Sequence, residues 1–421
     1  MTDRTGDTER SADETPSVDP ETLADRLRSR AGDGESRSRS RPRPLTVLDV
    51  RDRDEFERWH LEGDGLEAVQ IPHVRFVQAE ATGRVAELVD DHDLAEPILA
   101  VCGRGEASAH AVSLLRGAGF EARNLAGGMD AWAELYLVRE LDVGGSTTVS
   151  VLQYDRPSSG CLAYAVVSGG EAAVIDPLRT FANRYVEDLD DRGVEVRYAI
   201  DTHVHADHVS GVRDLAARTD AEAVVPAGAR DRGLAFDATT VADGDELQVG
   251  DATLSVLATP GHTLESLSFR LERSASGDTD GDGDAGTATL FTGDTLFLEG
   301  VGRPDLEGGR DEVPAAARRL YETLRGRVLA LPDDTTIAPG HYGDAEPRED
   351  GSYAATLEAL RDRLTALSMD EAAFVSHVTD DLPPRPNNDE RIVRVNLGLE
   401  DVDEGTAFEL ELGPNNCAVA E

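Results

Sequence analysis

The chain has no lysine, so arginine supplies all 41 basic side chains, against 83 Asp and Glu. The formal net charge of −42 repels nucleic-acid phosphates and anionic lipid, which excludes both as partners and excludes a membrane surface. Cysteine is nearly absent. Cys102, Cys161 and Cys417 are too few and too scattered for a disulfide framework, and a cytoplasmic protein is expected. Aromatics are only 5% of the chain. No apolar run approaches the roughly 18 residues of a membrane span, and Met1 to Pro20 lacks the apolar stretch of a signal peptide. With 421 residues, two domains with real cores are expected, and a homo-oligomer is compatible with them.

Residues 1–16 are polar and aperiodic and read as disordered. Asp19-Pro20-Glu21 then opens a helix, with Asp19 as its cap. Gly32 to Pro44 reads as a solvated Arg/Ser/Pro loop. From Leu45 onward strands and helices alternate: strands at 45–50, 97–102 and 122–125, and helices at 54–60, 107–117 and from Met129. That alternation predicts a small parallel α/β sheet over residues 17–140. Residues 141–150 read as a linker. Hairpin strands at 147–152, 161–167 and 172–175 begin a catalytic domain over 151–345, with 346–421 as its extension. Sheets packed face to face with helices outside fit this mixture. Ser274 to Gly286 is an acidic, Gly-rich insertion. As a calcium loop it would carry Thr289 where a bidentate Glu is needed, so a surface insertion is expected.

The densest chemistry lies in Asp201-Thr202-His203-Val204-His205-Ala206-Asp207-His208, after an apolar-alternating run and before a helix-like stretch, 208–218. Three more strand-like runs end at Gly turns that deliver His262, Asp294 and His341. Loops at one rim of a rigid scaffold are where sites are assembled. Imidazoles and carboxylates on such loops predict a metal centre.

These residues resemble the metallo-β-lactamase superfamily over about 147–345, through His-x-His-x-Asp-His followed by single His, Asp and His. The resemblance implies an αβ/βα sandwich with metal between two sheets. In its di-zinc hydrolases, such as the thioesterase glyoxalase II, one Zn²⁺ would sit on His203, His205, His262 and Asp294. A second Zn²⁺ would take Asp207, His208, Asp294 and His341. The segments 291–297 and Gly302-Arg303-Pro304-Asp305-Leu306 instead resemble persulfide dioxygenases, as does the tail Leu382 to Pro386 with Asn396. That likeness implies one Fe(II) on His203, His262 and Asp294, the two-His-one-carboxylate set suited to binding substrate beside O₂. His205, Asp207, His208 and His341 would then orient ligands, with Asp207 and His208 as catalytic candidates. Arg303, as a substrate-carboxylate clamp or as the partner of Asp305, and Tyr342, as a pocket wall, complete the candidates.

Cys102-Gly103-Arg104-Gly105-Glu106-Ala107-Ser108 follows a buried strand and opens a helix. A loop wrapped around the sulfur at a helix N-terminus suits a thiol that carries sulfane sulfur. Leu48 to Arg51, Glu55-Phe56, His60, Ile71-Pro72, this loop and Asn124 to Trp132 resemble rhodanese, a sulfurtransferase, over about 17–140. Many rhodanese loops carry Arg where Ala107 stands, so Arg104 is the candidate cation. Cys161, in a strand, and Cys417, in the tail, are expected to be inert. The expected partners are a low-molecular-weight thiol persulfide with O₂, and a sulfane-sulfur donor or sulfite at Cys102. The acidic, lysine-free composition resembles proteins of extreme halophiles, whose surfaces stay hydrated in concentrated salt.

Overall fold

The computed structural model describes residues 15–31, 44–63, 65–143, 148–272, 288–309, 311–380, 382–413 and 415–420. Nearly all of the expected disordered tail and of the Arg/Ser/Pro loop, the middle of the linker and the acidic insertion lie outside the described residues. The chain divides into two compact units after Leu135.

The first unit is built on five strands, β1 (Ser17–Val18), β2 (Leu45–Asp49), β3 (Leu66–Gln70), β4 (Ile98–Val101) and β5 (Ala122–Leu125). They form a parallel sheet in the order β1-β5-β4-β2-β3. Asp19 caps the helix Pro20–Ala31 as expected, accepting from the Thr22 N–H at 2.8 Å. Leu48, Ile98 and Ala100 of the sheet pack against Ala111, Val112 and Leu115 of the helix Glu106–Gly117. That packing holds Cys102 at the carboxyl end of central strand β4, where parallel sheets present their sites.

The second unit has two principal sheets. One runs β12-β11-β10-β9-β8-β7-β6, from β6 (Leu137–Leu141), β7 (Val149–Arg156), β8 (Cys161–Ser168), β9 (Glu171–Ile175), β10 (Glu195–Ile200), β11 (Glu222–Pro226) and β12 (Thr239–Val241). The other runs β13-β14-β15-β16-β18-β19, from β13 (Glu246–Val249), β14 (Ala252–Ala258), β15 (Leu267–Glu272), β16 (Thr289–Gly293), β18 (Thr336–Pro339) and β19 (Ala355–Thr356). A small ribbon pairs β17 (Gly300–Gly302) with β20 (Ala418–Ala420). Strand alternation sets the layers. Leu162, Tyr164, Val166, Ala173 and Ile175 face Leu254, Val256, Phe269 and Leu290 across the inter-sheet core. Ala163, Ala165, Ala172 and Val174 point the other way, onto Tyr185, Leu189, Val212 and Leu215 of two helices. Ala317 and Leu320 of the helix Val313–Thr323 join the core at the second sheet, which completes the expected αβ/βα sandwich.

Two boundaries differ from the sequence reading. Residues 137–141, placed mostly with the first domain, form the edge strand β6 of the larger sheet, in antiparallel register with β7. That pairing is set by a partner strand and leaves no local signal. The helix expected from His208 begins at Val212. The preceding N–H groups of Val209, Ser210 and Gly211 are spent instead on Glu411, Asn396 and Pro177. Among the described residues no helix is long and apolar enough to cross a membrane.

Candidate metal centre

The carboxyl ends of β10, β14, β16 and β18 meet at one rim, and each delivers a metal-ligand side chain. His203, His205, Asp207 and His208 follow β10, His262 follows β14, Asp294 follows β16 and His341 follows β18. All are buried. Two glycines make the close approach possible. A Cβ on Gly340 would lie 2.5 Å from Asp294 Oδ1, and one on Gly302 would lie 2.1 Å from the Asp294 carbonyl and 3.0 Å from His262 Cβ.

His203, His262 and Asp294 present ligand atoms that all lie within 4.8 Å of one another. His203 Nε2 is 3.7 Å and His262 Nε2 3.5 Å from Asp294 Oδ2. None of these three buried atoms has a hydrogen-bond partner, and unsatisfied buried polar groups are costly. The opposite ring nitrogens fix the tautomers. His262 Nδ1 is 2.9 Å from the Arg303 carbonyl, which can only accept. His203 Nδ1 is 2.9 Å from Thr202 Oγ1, whose hydroxyl proton goes to Asp176 at 3.0 Å. Both Nδ1 atoms therefore carry the proton, and both Nε2 lone pairs face the pocket. Burial lowers the pKa of both imidazoles, His203 most strongly, which keeps them neutral. Burial would raise Asp294, but His341 and His203 outweigh it and hold the carboxyl well below the usual range. Two neutral imidazoles and one carboxylate with free lone pairs fit a divalent cation.

The other half of the pocket is only partly paired. His341 reaches Asp294 Oδ1 through Nδ1 at 2.9 Å and Asp207 Oδ2 through Nε2 at 3.0 Å. Both carboxylates only accept, so His341 is an imidazolium wedged between them. Burial opposes that charge, and Asp294, Cys161 and Asp207 together overcome it, raising His341 well above its ordinary value. His208 Nδ1 is 3.0 Å from the same Asp207 oxygen, and against burial Asp207 raises it too. His205 donates Nε2–H to Asp176 at 3.0 Å. His205 Nδ1, Asp207 Oδ1 and His208 Nε2 remain without hydrogen-bond partners.

In the first unit, Cys102 Sγ accepts from the Gly105 N–H at 3.1 Å, the Ser108 N–H at 3.4 Å and the Ser108 hydroxyl at 3.1 Å. A Cβ on Gly128 would stand 2.2 Å from the Cys102 carbonyl, so a glycine is needed behind the loop. These donors make the sulfur cradle anticipated from the sequence.

A family model described as "Metallo-beta-lactamase superfamily" matches residues 157–279, and one described as "Rhodanese-like domain" matches residues 24–135. A "Hydroxyacylglutathione hydrolase" of Methylococcus capsulatus is 34% identical over 252 residues, covering 57% of this chain and 86% of that protein. The chain belongs to the metallo-β-lactamase superfamily. A rhodanese-like domain precedes its superfamily domain. The human "Persulfide dioxygenase ETHE1, mitochondrial" is 28% identical, over 62% of this chain and 87% of that protein. A crystal structure titled as a metallo-beta-lactamase from Staphylococcus aureus subsp. aureus COL is 30% identical with a TM-score of 0.51, covering 60% of this chain and 73% of that one. Homologues thus include both a persulfide dioxygenase and a hydroxyacylglutathione hydrolase.

Several sequence expectations change. Arg303 has no donor to spare for a substrate carboxylate. Its guanidinium bonds Asp305 twice, at 2.7 and 3.0 Å, and the carbonyls of Pro383, Pro384 and Asn416 at 2.7–2.8 Å. It pins the C-terminal segment beside the site. Cys161 and Cys417, expected to be inert, both face the pocket. Cys161 Sγ lies within 4.8 Å of ligand atoms of Asp207, His208 and His341, and Cys417 within the same distance of Asp207 and Asp294. Burial would raise the Cys161 thiol, but His341 and His208 beside it together outweigh burial and bring it to about 7. Tyr342 stacks on Tyr353 with centroids 3.7 Å apart. Arg104 is 81% exposed, 3.6 Å from Asp130.

Sequence reasoning also missed what positions the loop. Asp176, held at a φ of 51°, accepts from Thr202 and His205. Asn396 donates to the His205 and His208 carbonyls at 3.0 and 2.9 Å and accepts from the Ser210 N–H at 2.9 Å. Glu411 accepts from the Val209 N–H and pairs with buried Arg156 at 2.6 Å. Asn415 donates to Asp207 at 3.1 Å. These are isolated polar residues far along the chain. Of them, only Asn396 stands in a segment with a motif resemblance, the tail that follows Leu382.

Proposed function

We propose that this chain is a persulfide dioxygenase coupled to a sulfurtransferase. One ferrous ion would be held by His203, His262 and Asp294. The observation that carries the reading is the convergence of three buried lone-pair atoms, each without a hydrogen-bond partner, opposite a half-pocket whose His341 is locked between two carboxylates. Bound there, ferrous iron would supply coordination of the terminal persulfide sulfur and activation of O₂. The net reaction balances as RSSH + O₂ + H₂O giving RSH, sulfite and two protons. Thr202 and the Arg303 carbonyl keep the two imidazoles turned inward. Imidazolium His341 stabilises the Asp294 and Asp207 carboxylates, and His208, beside it, is placed to take or give a proton at Nε2. Cys102 would hold sulfane sulfur as a persulfide in its cradle and pass it to sulfite, giving thiosulfate and free thiol. The rhodanese-like domain in the same chain supports this pairing of chemistries.

A second reading has its own support. His205 Nδ1, Asp207 Oδ1 and His208 Nε2 also lack hydrogen-bond partners, and the hydrolase relative is the more similar in sequence of the two reported enzymes. Two Zn²⁺ ions and hydrolysis of an acyl-thiol ester would follow from it. Metal analysis of protein purified in high salt, with O₂ uptake on a thiol persulfide, separates the two. One iron with O₂ consumption supports the dioxygenase. Two zincs with thioester cleavage and no O₂ consumption overturn it.

A further inference from the structure

A cavity of about 380 Å³ adjoins the stretch that follows the His-rich motif, and none of its lining residues is a candidate metal ligand. That volume is in the range of small-molecule sites. Val209 and Ser210 line it from the motif loop, and Asn396 from the end of the helix Asp389–Asn396. Arg179 lines it from the short turn Arg179–Phe181. These residues tie the motif loop down. The Arg179 N–H donates to the Val209 carbonyl at 2.9 Å. Asn396 accepts the Ser210 N–H and donates to the His205 and His208 carbonyls.

The side chain of Arg179 is left unfinished. Its Nε is buried and has no hydrogen-bond partner among the described residues. Asp214 Oδ2 is 3.1 Å away but out of line for a hydrogen bond. The same carboxylate also faces Arg218, at 3.7 Å. A buried N–H without an acceptor is costly, and a carboxylate in the cavity supplies two oxygens that match the guanidinium fork. Arg213 adds a second cation, whose partner Asp401 is 86% exposed and stands at the solvent side. Val212, Ala217 and Val395 provide apolar wall. A bare phosphate or sulfate leaves that wall uncovered and sets two charges against Asp214. A monoanion with a short apolar body uses both the cation and the wall.

We propose that this cavity is an effector site for a small organic carboxylate, which docks on Arg179, covers Val212, Ala217 and Val395, and stiffens the motif loop from outside the metal pocket. Once fixed, Arg179 holds Val209 through its own backbone. Contact with Val395 steadies the neighbouring Asn396, whose amide holds the His205 and His208 carbonyls. A loop already ordered by the carboxylate costs less to order around a metal ion. Each ligand then raises the affinity of the other by the same factor. The site is independent of whether the metal is iron or zinc.

Calorimetric titration of the full-length, metal-free chain at fixed chloride tests the site, with butyrate as the probe and butyramide as its uncharged counterpart. Butyrate binds about tenfold more tightly than butyramide. Arg179→Gln removes that preference at an unchanged melting temperature. Ala217→Leu, at an exposed position of its helix, fills the cavity and weakens butyrate about tenfold with Arg179 intact. That second variant decides the matter if Arg179→Gln does not fold. Hydrogen exchange read by mass spectrometry over residues 203–211 slows by about threefold or more in saturating butyrate. Equal binding of the two probes, a folded Arg179→Gln variant that keeps the preference, or an Ala217→Leu variant that binds butyrate like the wild type overturns the site. Butyrate binding with unchanged exchange over residues 203–211 overturns its coupling to the loop.

Discussion

The two halves of the metal pocket are built from the same residue types and behave oppositely. On one side, His203 and His262 spend their Nδ1 protons on a hydroxyl and a carbonyl, and their lone pairs face inward. On the other, His341 spends both ring N–H groups on Asp294 and Asp207 and keeps no lone pair of its own, while His205 Nδ1, Asp207 Oδ1 and His208 Nε2 stay without hydrogen-bond partners. The partner behind each imidazole decides what it can hold: a neutral acceptor leaves a ligand, and a pair of carboxylates makes a cation. Ligand count alone therefore does not give metal count.

The sharpest way to break this contrast is to remove one residue from each half. His262→Ala lowers metal affinity by more than about 100-fold, measured by metal analysis after dialysis, and retention of the metal would refute the role given to this side. Asp207→Asn frees His208 and His341. It weakens metal binding by about 10–100-fold while the stoichiometry stays at one per chain, whereas loss of a whole equivalent would reveal a second ion. Asn396→Ala leaves two carbonyls and one N–H of the motif loop without their partner. Denaturant unfolding should register a loss of about 1–3 kcal/mol, and an unchanged midpoint would deny that the C-terminal segment supports the loop.

The smallest effect concerns Cys161. In chelator-treated protein its alkylation rate rises with pH to half its maximum near pH 7, because the thiolate forms as pH passes that value. A midpoint near 9 would place it outside the influence of His341.

Most of the architecture was legible because both units obey local rules: strand alternation, glycine turns and capped helices. The candidate metal ligands were legible because they sit immediately after strands, at glycine-rich turns. What stayed hidden depends on distant pairing. Edge strand β6 has only its register with β7 to identify it. Arg303 reads from sequence as either a substrate clamp or the partner of Asp305, because the carbonyls it also grips come from residues 383–416. Cys161 looked like a core strand residue, yet its β8 start lies against His341 in an isolated bridge.

Counting the metal in protein purified at high salt, together with O₂ uptake on a thiol persulfide, tests the central claim most directly. The account requires close to one iron per chain, oxygen consumed and sulfite formed. Two zinc ions per chain with no oxygen consumed would contradict it.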